Sequence, residues 1–143
     1  MGRGTVHATI AGFIRAPAER VVAVYADHAA WPRTFPRTIR GVRLVREEGA
    51  DKTLEIDHVE GKVTNVMHVA GPHAMDLLEW KRRSSARFEN HFDPVDGGTR
   101  YTLVADVTLR GPLRLLAPLL GPLVRSRMKR YVLEPLRDAA ERG

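Results

Sequence analysis

The chain has 143 residues and no cysteine, which suits one domain with one core and excludes disulfide bonds and thiolate-held metal. A hydrophobic fraction of 43% is ordinary for a globular protein and argues against disorder. The formal net charge of +6 raises the question of a polyanionic partner, but no nucleic-acid-binding motif accompanies the basic residues, which are spread along the chain. We therefore expect no nucleic-acid partner.

The start of the chain lacks a basic segment followed by an uninterrupted apolar run, which is the pattern of a secretory signal. The longest apolar stretch, residues 113–124, contains Arg114, Pro118 and Pro122 and is too short to span a bilayer. No repeat and no low-complexity linker divides the chain. We expect a cytoplasmic location and a single ligand-binding domain over residues 1–143.

The first part of the chain predicts a strand and a helix. Thr5–Ile14 is rich in β-branched and apolar residues and stops before Pro17. Ala18–Ala30 has apolar residues at helical spacing, and we expect Trp31-Pro32 to end this helix because a residue that precedes proline disfavours helical geometry. Residues 32–36 predict a bend or one short helical turn.

Six further strands with tight connections are predicted in the middle of the chain, and strands joined by short turns are antiparallel. They are Val42–Glu47, Thr53–Val59, Lys62–Val69, Met75–Lys81, Ser85–Phe92 and Thr99–Leu109.

Beyond Gly111-Pro112, apolar residues recur every three or four positions as far as Glu141 and predict one long helix. Its prolines predict kinks or a short break near its start. The fold class is thus α+β, with a curved antiparallel sheet of about seven strands around a long C-terminal helix. One or two short helices lie between strands 1 and 2.

A two-residue turn at Glu60-Gly61 assigns the faces of two strands, because residues paired across an antiparallel ladder point to the same side. It pairs His58 with Val63, and alternation then predicts polar residues on the inner face of the sheet, namely His58, Asn65, Asn90 and Tyr101. Buried polar groups need a partner, water or a ligand, so these residues indicate a cavity. Alternatively, His58 and Asn65 lie at the sheet rim, or Asn90 and Tyr101 bond each other in an ordinary core.

Four segments resemble a known family: Ile14–Val22 (IRAPAERVV), Asp27 with Ala30–Pro32, the Asp96–Thr99 turn, and Gly111-Pro112 before the long helix. In these segments the chain resembles the START-like (SRPBCC) helix-grip superfamily, and within it the polyketide cyclase/dehydrase and lipid-transport branch. The resemblance covers nearly the whole chain. It implies a deep cavity between the sheet and the last helix that holds lipids, sterols, plant hormones, isoprenoid quinones or polyketides, in carriers and in enzymes.

The resemblance also bears on individual residues. Trp31 and Phe35 match the tryptophan and phenylalanine that line the pocket mouth of aromatic polyketide cyclases. Those cyclases have an inward serine and arginine where this sequence has Met67 and Val69, and a pocket tryptophan where it has Asn90. These departures favour binding over aromatic cyclisation.

We therefore predict a carrier or binding protein for a hydrophobic small molecule, a lipid, isoprenoid or polyketide, without a cofactor. The predicted ligand-binding residues are Trp31, Phe35, Ile56, Asn65, Met67, Trp80, Phe88, Asn90, Leu103 and Leu120. The alternative is a polyketide cyclase or dehydratase, with His58 as the base and Tyr101 holding an enolate or carbonyl oxygen. The sequence leaves open whether the protein is an enzyme.

The histidines do not predict a metal site. His58 and His68 fall on opposite faces, and His91 lies outward beside Glu89, so no three ligands converge. We expect a monomer or a weak homodimer.

The stretch over residues 113–124 is followed by Arg125, Arg127, Lys129 and Arg130, which raises the hypothesis of peripheral contact with an anionic membrane. The alternative is a helix that simply packs its apolar face on the sheet. The two hypotheses differ in whether Leu115, Leu119 and Leu123 lie on the side away from the sheet.

Overall fold

The structure is a computed structural model that describes residues 4–142. Its strands are β1 (Thr5–Ile14), β2 (Ile39–Glu48), β3 (Asp51–His58), β4 (Gly61–Gly71), β5 (Ala74–Trp80), β6 (Ser84–Val95) and β7 (Gly98–Leu109). They form one seven-stranded antiparallel sheet in the order β1-β7-β6-β5-β4-β3-β2. The predicted fold class is confirmed, including the bounds of the first strand.

Between β1 and β2 the chain forms helix α1 (Ala18–Ala26), a 3₁₀ turn (His28–Ala30) and the short helix α2 (Trp31–Thr34). The short helices expected here are confirmed, but the predicted single helix to Ala30 is wrong. Trp31-Pro32 begins a helix instead of ending one, because proline in a first turn lacks only an N–H that has no partner within the helix.

The C-terminal part of the chain begins with a 3₁₀ segment (Gly111–Leu119). A long helix follows over residues 121–142, built from α3 (Gly121–Met128), a π-helical turn (Lys129–Leu133) and α4 (Glu134–Arg142). The expected early break lies at Leu120, ahead of Gly121-Pro122. The wider π turn lies just before Pro135, whose ring conflicts with the carbonyl four residues earlier in a regular helix.

The predicted β3–β4 register is wrong by two residues. His58 pairs with Gly61 and Ile56 with Val63, so the turn residues are Val59 and Glu60. Gly61 has φ of +121°, a conformation that glycine adopts readily. A shift of two leaves every side chain on its predicted face. Leu54, Ile56, Val63, Asn65 and Met67 are accordingly buried, whereas Val69, near the strand end, is exposed.

The C-terminal helix packs on the inner face of the sheet through Met128, Leu133, Leu136 and Ala140. At one side of this core an aromatic cluster joins α1, α2, β6 and β7, with ring centroids 5.4 to 6.4 Å apart. Its members are Tyr25, Trp31, Phe35, Phe92 and Tyr101. No helix in the described part of the chain is both long and apolar enough to cross a membrane.

Candidate functional site

A cavity of about 260 Å³ lies between the inner face of the sheet and the C-terminal helix. Strands β3 to β7 supply most of its wall. Tyr25 of α1, Trp31 of α2 and Phe35, which follows α2, add aromatic rings, and the C-terminal helix closes the cavity with Val124, Met128 and other residues. The wall is mainly apolar, with a small number of polar side chains among the aliphatic and aromatic ones. This composition is typical of a site for an organic molecule.

Asn65, on β4, is the most exceptional polar residue of this wall. Its side chain is 4% exposed, and its Oδ1 has no hydrogen-bond partner among residues 4–142. Asn65 pairs with Leu54 on one side and Glu79 on the other, so its amide lies in the middle of the inner face. A buried amide oxygen without a partner loses its hydration and gains nothing in return. A donor from a bound molecule would satisfy it.

Glu79, directly across the ladder from Asn65, adds a carboxyl group to the wall. Burial raises its pKa above the ordinary value, and the Lys81 ammonium, with its Nζ 3.6 Å from a Glu79 oxygen, opposes this rise only in part. A raised pKa makes this carboxylate a stronger proton acceptor than an ordinary exposed one, which is the change that general acid/base chemistry uses.

His58 lines the cavity at the end of β3 and is half-buried. The backbone N–H of Glu60 donates a hydrogen bond of 3.1 Å to its Nδ1, so we assign the ring hydrogen of the neutral imidazole to Nε2. Burial, followed by the positive charge of Lys81, lowers the pKa of His58. His58 is therefore neutral near pH 7 and offers an Nε2–H donor. This geometry suits hydrogen bonding to a carbonyl oxygen better than the predicted role as a base.

Charged residues at the same end of the cavity link three elements. The Glu60 carboxylate accepts hydrogen bonds from Lys81 Nζ at 3.1 Å and from Arg127 Nη2 at 2.5 Å. Lys81 follows β5 and Arg127 belongs to α3, so the β3–β4 turn is tied to the sheet and to the helix. The Arg127 guanidinium also lies 5.2 Å from the centre of the Tyr131 ring.

No protein-family model and no curated protein sequence matches this chain. Solved structures do. Zhui aromatase/cyclase from Streptomyces sp. R1128 is 17% identical, over 96% of this chain and 94% of that chain, with a TM-score of 0.78. A START superfamily protein from Mycobacterium smegmatis is 15% identical over 96% and 97%, with a TM-score of 0.68. The chain has the START-like helix-grip fold. Norcoclaurine synthase from Thalictrum flavum shares it at 11% identity, over 99% and 98%, with a TM-score of 0.72.

The helix-grip cavity brings together seven of the residues predicted to bind or act on a ligand. They are Trp31, Phe35, Ile56, His58, Asn65, Phe88 and Leu103. Five others, Met67, Trp80, Asn90, Tyr101 and Leu120, do not line it. Met67 is buried in the surrounding core, and Leu120 lies half-buried at the break before α3.

Tyr101 and Asn90 satisfy each other behind the cavity wall. The Tyr101 hydroxyl donates to Asn90 Oδ1, and Asn90 Nδ2 donates to the Met75 carbonyl at 3.2 Å. Both side chains are fully buried, and burial raises the pKa of Tyr101. The alternative interpretation of this pair, as a bonded pair in an ordinary core, matches the structure. Tyr101 therefore lies away from the position that its predicted catalytic role requires.

Trp80 lies on the outer face of the sheet, 43% exposed, because β5 directs Met75, Leu77 and Glu79 inward. Glu79 and Lys81 are therefore among the cavity residues that the sequence did not predict, and they are the charged ones from the end of β5. Alternation from Met75 would have placed them on the inner face. The adjacent Leu77 and Leu78 obscure this pattern, because they give β5 an apolar residue on each face. Within residues 4–142, no group of three or more histidine, cysteine, aspartate or glutamate side chains is arranged to hold a metal ion.

Proposed function

We propose that this protein binds a hydrophobic small molecule in the cavity between the sheet and the C-terminal helix, as a binding protein or carrier. The observation that supports this most strongly is the unpartnered Asn65 Oδ1 in a mainly apolar wall. Leaving such an acceptor without a partner costs about 1 to 3 kcal/mol, and a ligand that donates a hydrogen bond recovers that free energy on binding.

The polar groups of the wall define the ligand further. Asn65 Oδ1 accepts, so the ligand carries a hydroxyl or N–H group on an apolar body. His58 offers Nε2–H, so a carbonyl or other oxygen lies toward the β3–β4 turn. An oxygenated lipid, isoprenoid or polyketide has both features. The likeness to a START superfamily protein supports the same class of ligand.

The test is native mass spectrometry of the purified protein, with extraction and identification of whatever co-purifies. Ala86→Phe adds a large side chain inside the cavity, whereas Val45→Phe adds the same side chain at an exposed position on β2. We expect ligand in the wild-type and Val45→Phe proteins and none in Ala86→Phe, with unchanged circular dichroism. Equal ligand content in all three would place the bound molecule outside the cavity and contradict the proposal.

A polyketide cyclase or dehydratase is the second candidate, because Glu79 adds an acid/base group to the cavity and because an aromatase/cyclase shares the fold. The ionised Glu79 carboxylate would remove a proton from the carbon between two ketones. The resulting enolate carbon would attack a second carbonyl, and His58 Nε2–H would stabilise the alkoxide oxygen. Protonated Glu79 would then return its proton to that oxygen.

A linear poly-β-keto thioester mimic separates the two candidates. A cyclase converts it, and Glu79→Gln and His58→Ala abolish the conversion, while Glu55→Gln on the outer face serves as the control. A carrier releases the mimic unchanged in every variant. Tyr101→Phe tests the predicted catalytic role of Tyr101. Because Tyr101 does not line the cavity, we expect this substitution to affect stability and not conversion.

A further inference from the structure

An exposed apolar surface lies on the C-terminal part of the chain, outside the cavity. Five leucines of the 3₁₀ segment and of α3 form it, and we name them the leucine face: Leu113, Leu115, Leu116, Leu119 and Leu123. Their side chains are between 38% and 75% exposed. We propose that the leucine face docks on an anionic lipid bilayer.

The structure shows that the leucine face points away from the fold. The 3₁₀ segment is anchored by Ala117, which is 4% exposed, whereas its neighbours Leu115 and Leu119 are 73% and 75% exposed. Leu123, in the first turn of α3, is 54% exposed. A segment that only packed on the sheet would turn these side chains inward. Contiguous exposed leucines on an otherwise well-packed protein mark an interaction surface.

The charge around the leucine face defines its partner. Residues 107–133 contain six basic side chains and no aspartate or glutamate: Arg110, Arg114, Arg125, Arg127, Lys129 and Arg130. Among these six, only Arg127 forms an ion pair within the described residues, with Glu60. Exposed leucines flanked in sequence by basic residues, most of them without an ion pair among the described residues, match the interface of an anionic membrane, which takes up apolar side chains and attracts basic ones.

A second basic segment lies beside the first. The backbone N–H of Arg110 donates a hydrogen bond of 3.0 Å to the Arg83 carbonyl, which places the β5–β6 turn next to the start of the 3₁₀ segment. Arg82 and Arg83 in that turn are both exposed. The positive charge therefore extends over two neighbouring loops and is not confined to one helix face.

The same charge argues against a second copy of this chain as the occupant. A twofold dimer through the leucine face would bring two basic clusters together within a Debye length, with no acidic residue in 107–133 to offset them. An anionic bilayer turns this repulsion into attraction. Docking would also bring the cavity close to the lipid, because Val124, Arg127 and Met128 of α3 line its wall.

Flotation with phosphatidylcholine vesicles containing one quarter phosphatidylglycerol tests the proposal. Leu115→Ser/Leu119→Ser removes the two most exposed leucines. The matched control, Val45→Ser/Val69→Ser, removes two side chains that are 48% and 50% exposed, on the edge strand β2 and on the interior strand β4. We expect the leucine variant to lose about tenfold in vesicle partitioning. We expect the control variant to bind the vesicles as well as the wild type does. Added salt should weaken vesicle binding by the wild type and by the control variant.

Three outcomes would overturn the proposal. The first is wild-type protein that does not float with anionic vesicles, and the second is a leucine variant that floats as well as the control. The third is light scattering that shows a wild-type dimer and a monomeric leucine variant, since a second copy would then cover the leucine face. Circular dichroism verifies that both variants fold. Vesicle binding requires no ligand in the cavity, so this result is independent of the proposed ligand-binding function.

Discussion

At the scale of single residues, two asparagines on the inner face of the sheet differ in how their amides are satisfied. Asn90 bonds Tyr101 and the Met75 carbonyl, whereas Asn65 Oδ1 has no partner among residues 4–142. Asn65→Leu removes an orphan acceptor, so we expect it to raise the free energy of unfolding of ligand-free protein by about 1 kcal/mol. Asn90→Leu leaves two groups without partners, and we expect it to lower that free energy by about 2 kcal/mol.

Urea unfolding of protein stripped of ligand measures both effects. Asn65→Leu and Asn90→Leu make the same chemical change on the same face of the sheet, so each is the control for the other. We expect their changes in the free energy of unfolding to have opposite signs. A ligand-free Asn65→Leu protein that is less stable than the wild type would show that the Asn65 amide supports the fold instead of a ligand. Stabilisation together with weaker ligand binding is the pattern expected when a site is kept at the expense of stability.

Glu79 and Glu60 predict opposite dependences of stability on pH. The pKa of Glu79 is raised above its ordinary value of 4.5 in the folded protein. The folded state therefore holds that proton more tightly than the unfolded state, and stability falls as the pH rises above about 4.5. Glu79→Gln removes this loss, so we expect its stability relative to the wild type to increase with pH.

Glu60 has the opposite shift. Burial alone would raise its pKa, but the hydrogen bond and charge of Lys81, with Arg127, lower it below 4.5 overall. Its contribution to stability is present above pH 4.5 and is lost as the pH falls through the lowered pKa. We expect Glu60→Gln to be destabilised near pH 7 and to approach the wild type in acid. Thermal unfolding of both variants across this range measures the two trends, and trends of equal sign would refute the assignment.

At the scale of elements, Gly98 sets how closely β1 and β7 meet at the end of the sheet. A Cβ there would lie 2.2 Å from the Ile14 carbonyl oxygen and 2.8 Å from Phe13 Cζ. Because the first contact is with backbone, relief requires the strands to separate. We expect Gly98→Ala to lower the free energy of unfolding by about 3 kcal/mol.

Gly71 at the end of β4 provides the control for Gly98. A Cβ there meets nothing within 4 Å, and its φ is not in the left-handed region. Gly71→Ala should change stability by no more than about 0.5 kcal/mol. Chemical denaturation of the two variants gives the comparison, and a tolerated Gly98→Ala would show that the end of β1 can move without cost.

The strands could be predicted because alternation and short turns are local signals. The two-residue error in the β3–β4 register was harmless for the same reason, since faces repeat every second residue. The prolines of the C-terminal segment indicate that its helix is interrupted. They do not indicate the geometry of each interruption. Whether the chain responds to Pro135 with a kink or with a π turn depends on packing against the sheet.

The site was less predictable than the fold. Five of the predicted residues that line the cavity lie on strands whose alternation indicates the inner face, namely Ile56, His58, Asn65, Phe88 and Leu103. The other two, Trp31 and Phe35, were indicated by the family resemblance. Tyr101 and Asn90 also face inward, but sequence does not show that they bond each other. The sequence does not predict Glu79 as a cavity residue because Leu77 and Leu78 leave the inner face of β5 ambiguous and Trp80 is the more apolar neighbour. Whether a buried polar side chain has a hydrogen-bond partner depends on tertiary contacts, which local sequence patterns do not show.

At the scale of the whole molecule, the cavity makes stability depend on its contents. A ligand that binds only the folded state at about 100 times its Kd adds about 2.7 kcal/mol to the free energy of unfolding. For a domain of this length that corresponds to a rise in Tm of roughly 8 °C. We therefore expect protein purified with its ligand to melt at a higher temperature than the same protein after organic extraction and refolding.

Ala86→Phe separates this effect from damage caused by extraction. The introduced phenylalanine fills the cavity of Ala86→Phe and leaves no room for ligand. The Tm of this variant should therefore be the same before and after extraction and refolding, whereas the wild-type Tm should fall. Differential scanning calorimetry on the four samples measures both differences. If the wild type and Ala86→Phe lose the same amount, extraction has damaged the fold. If neither changes although mass spectrometry finds a ligand, that ligand binds folded and unfolded chains alike and does not occupy the cavity.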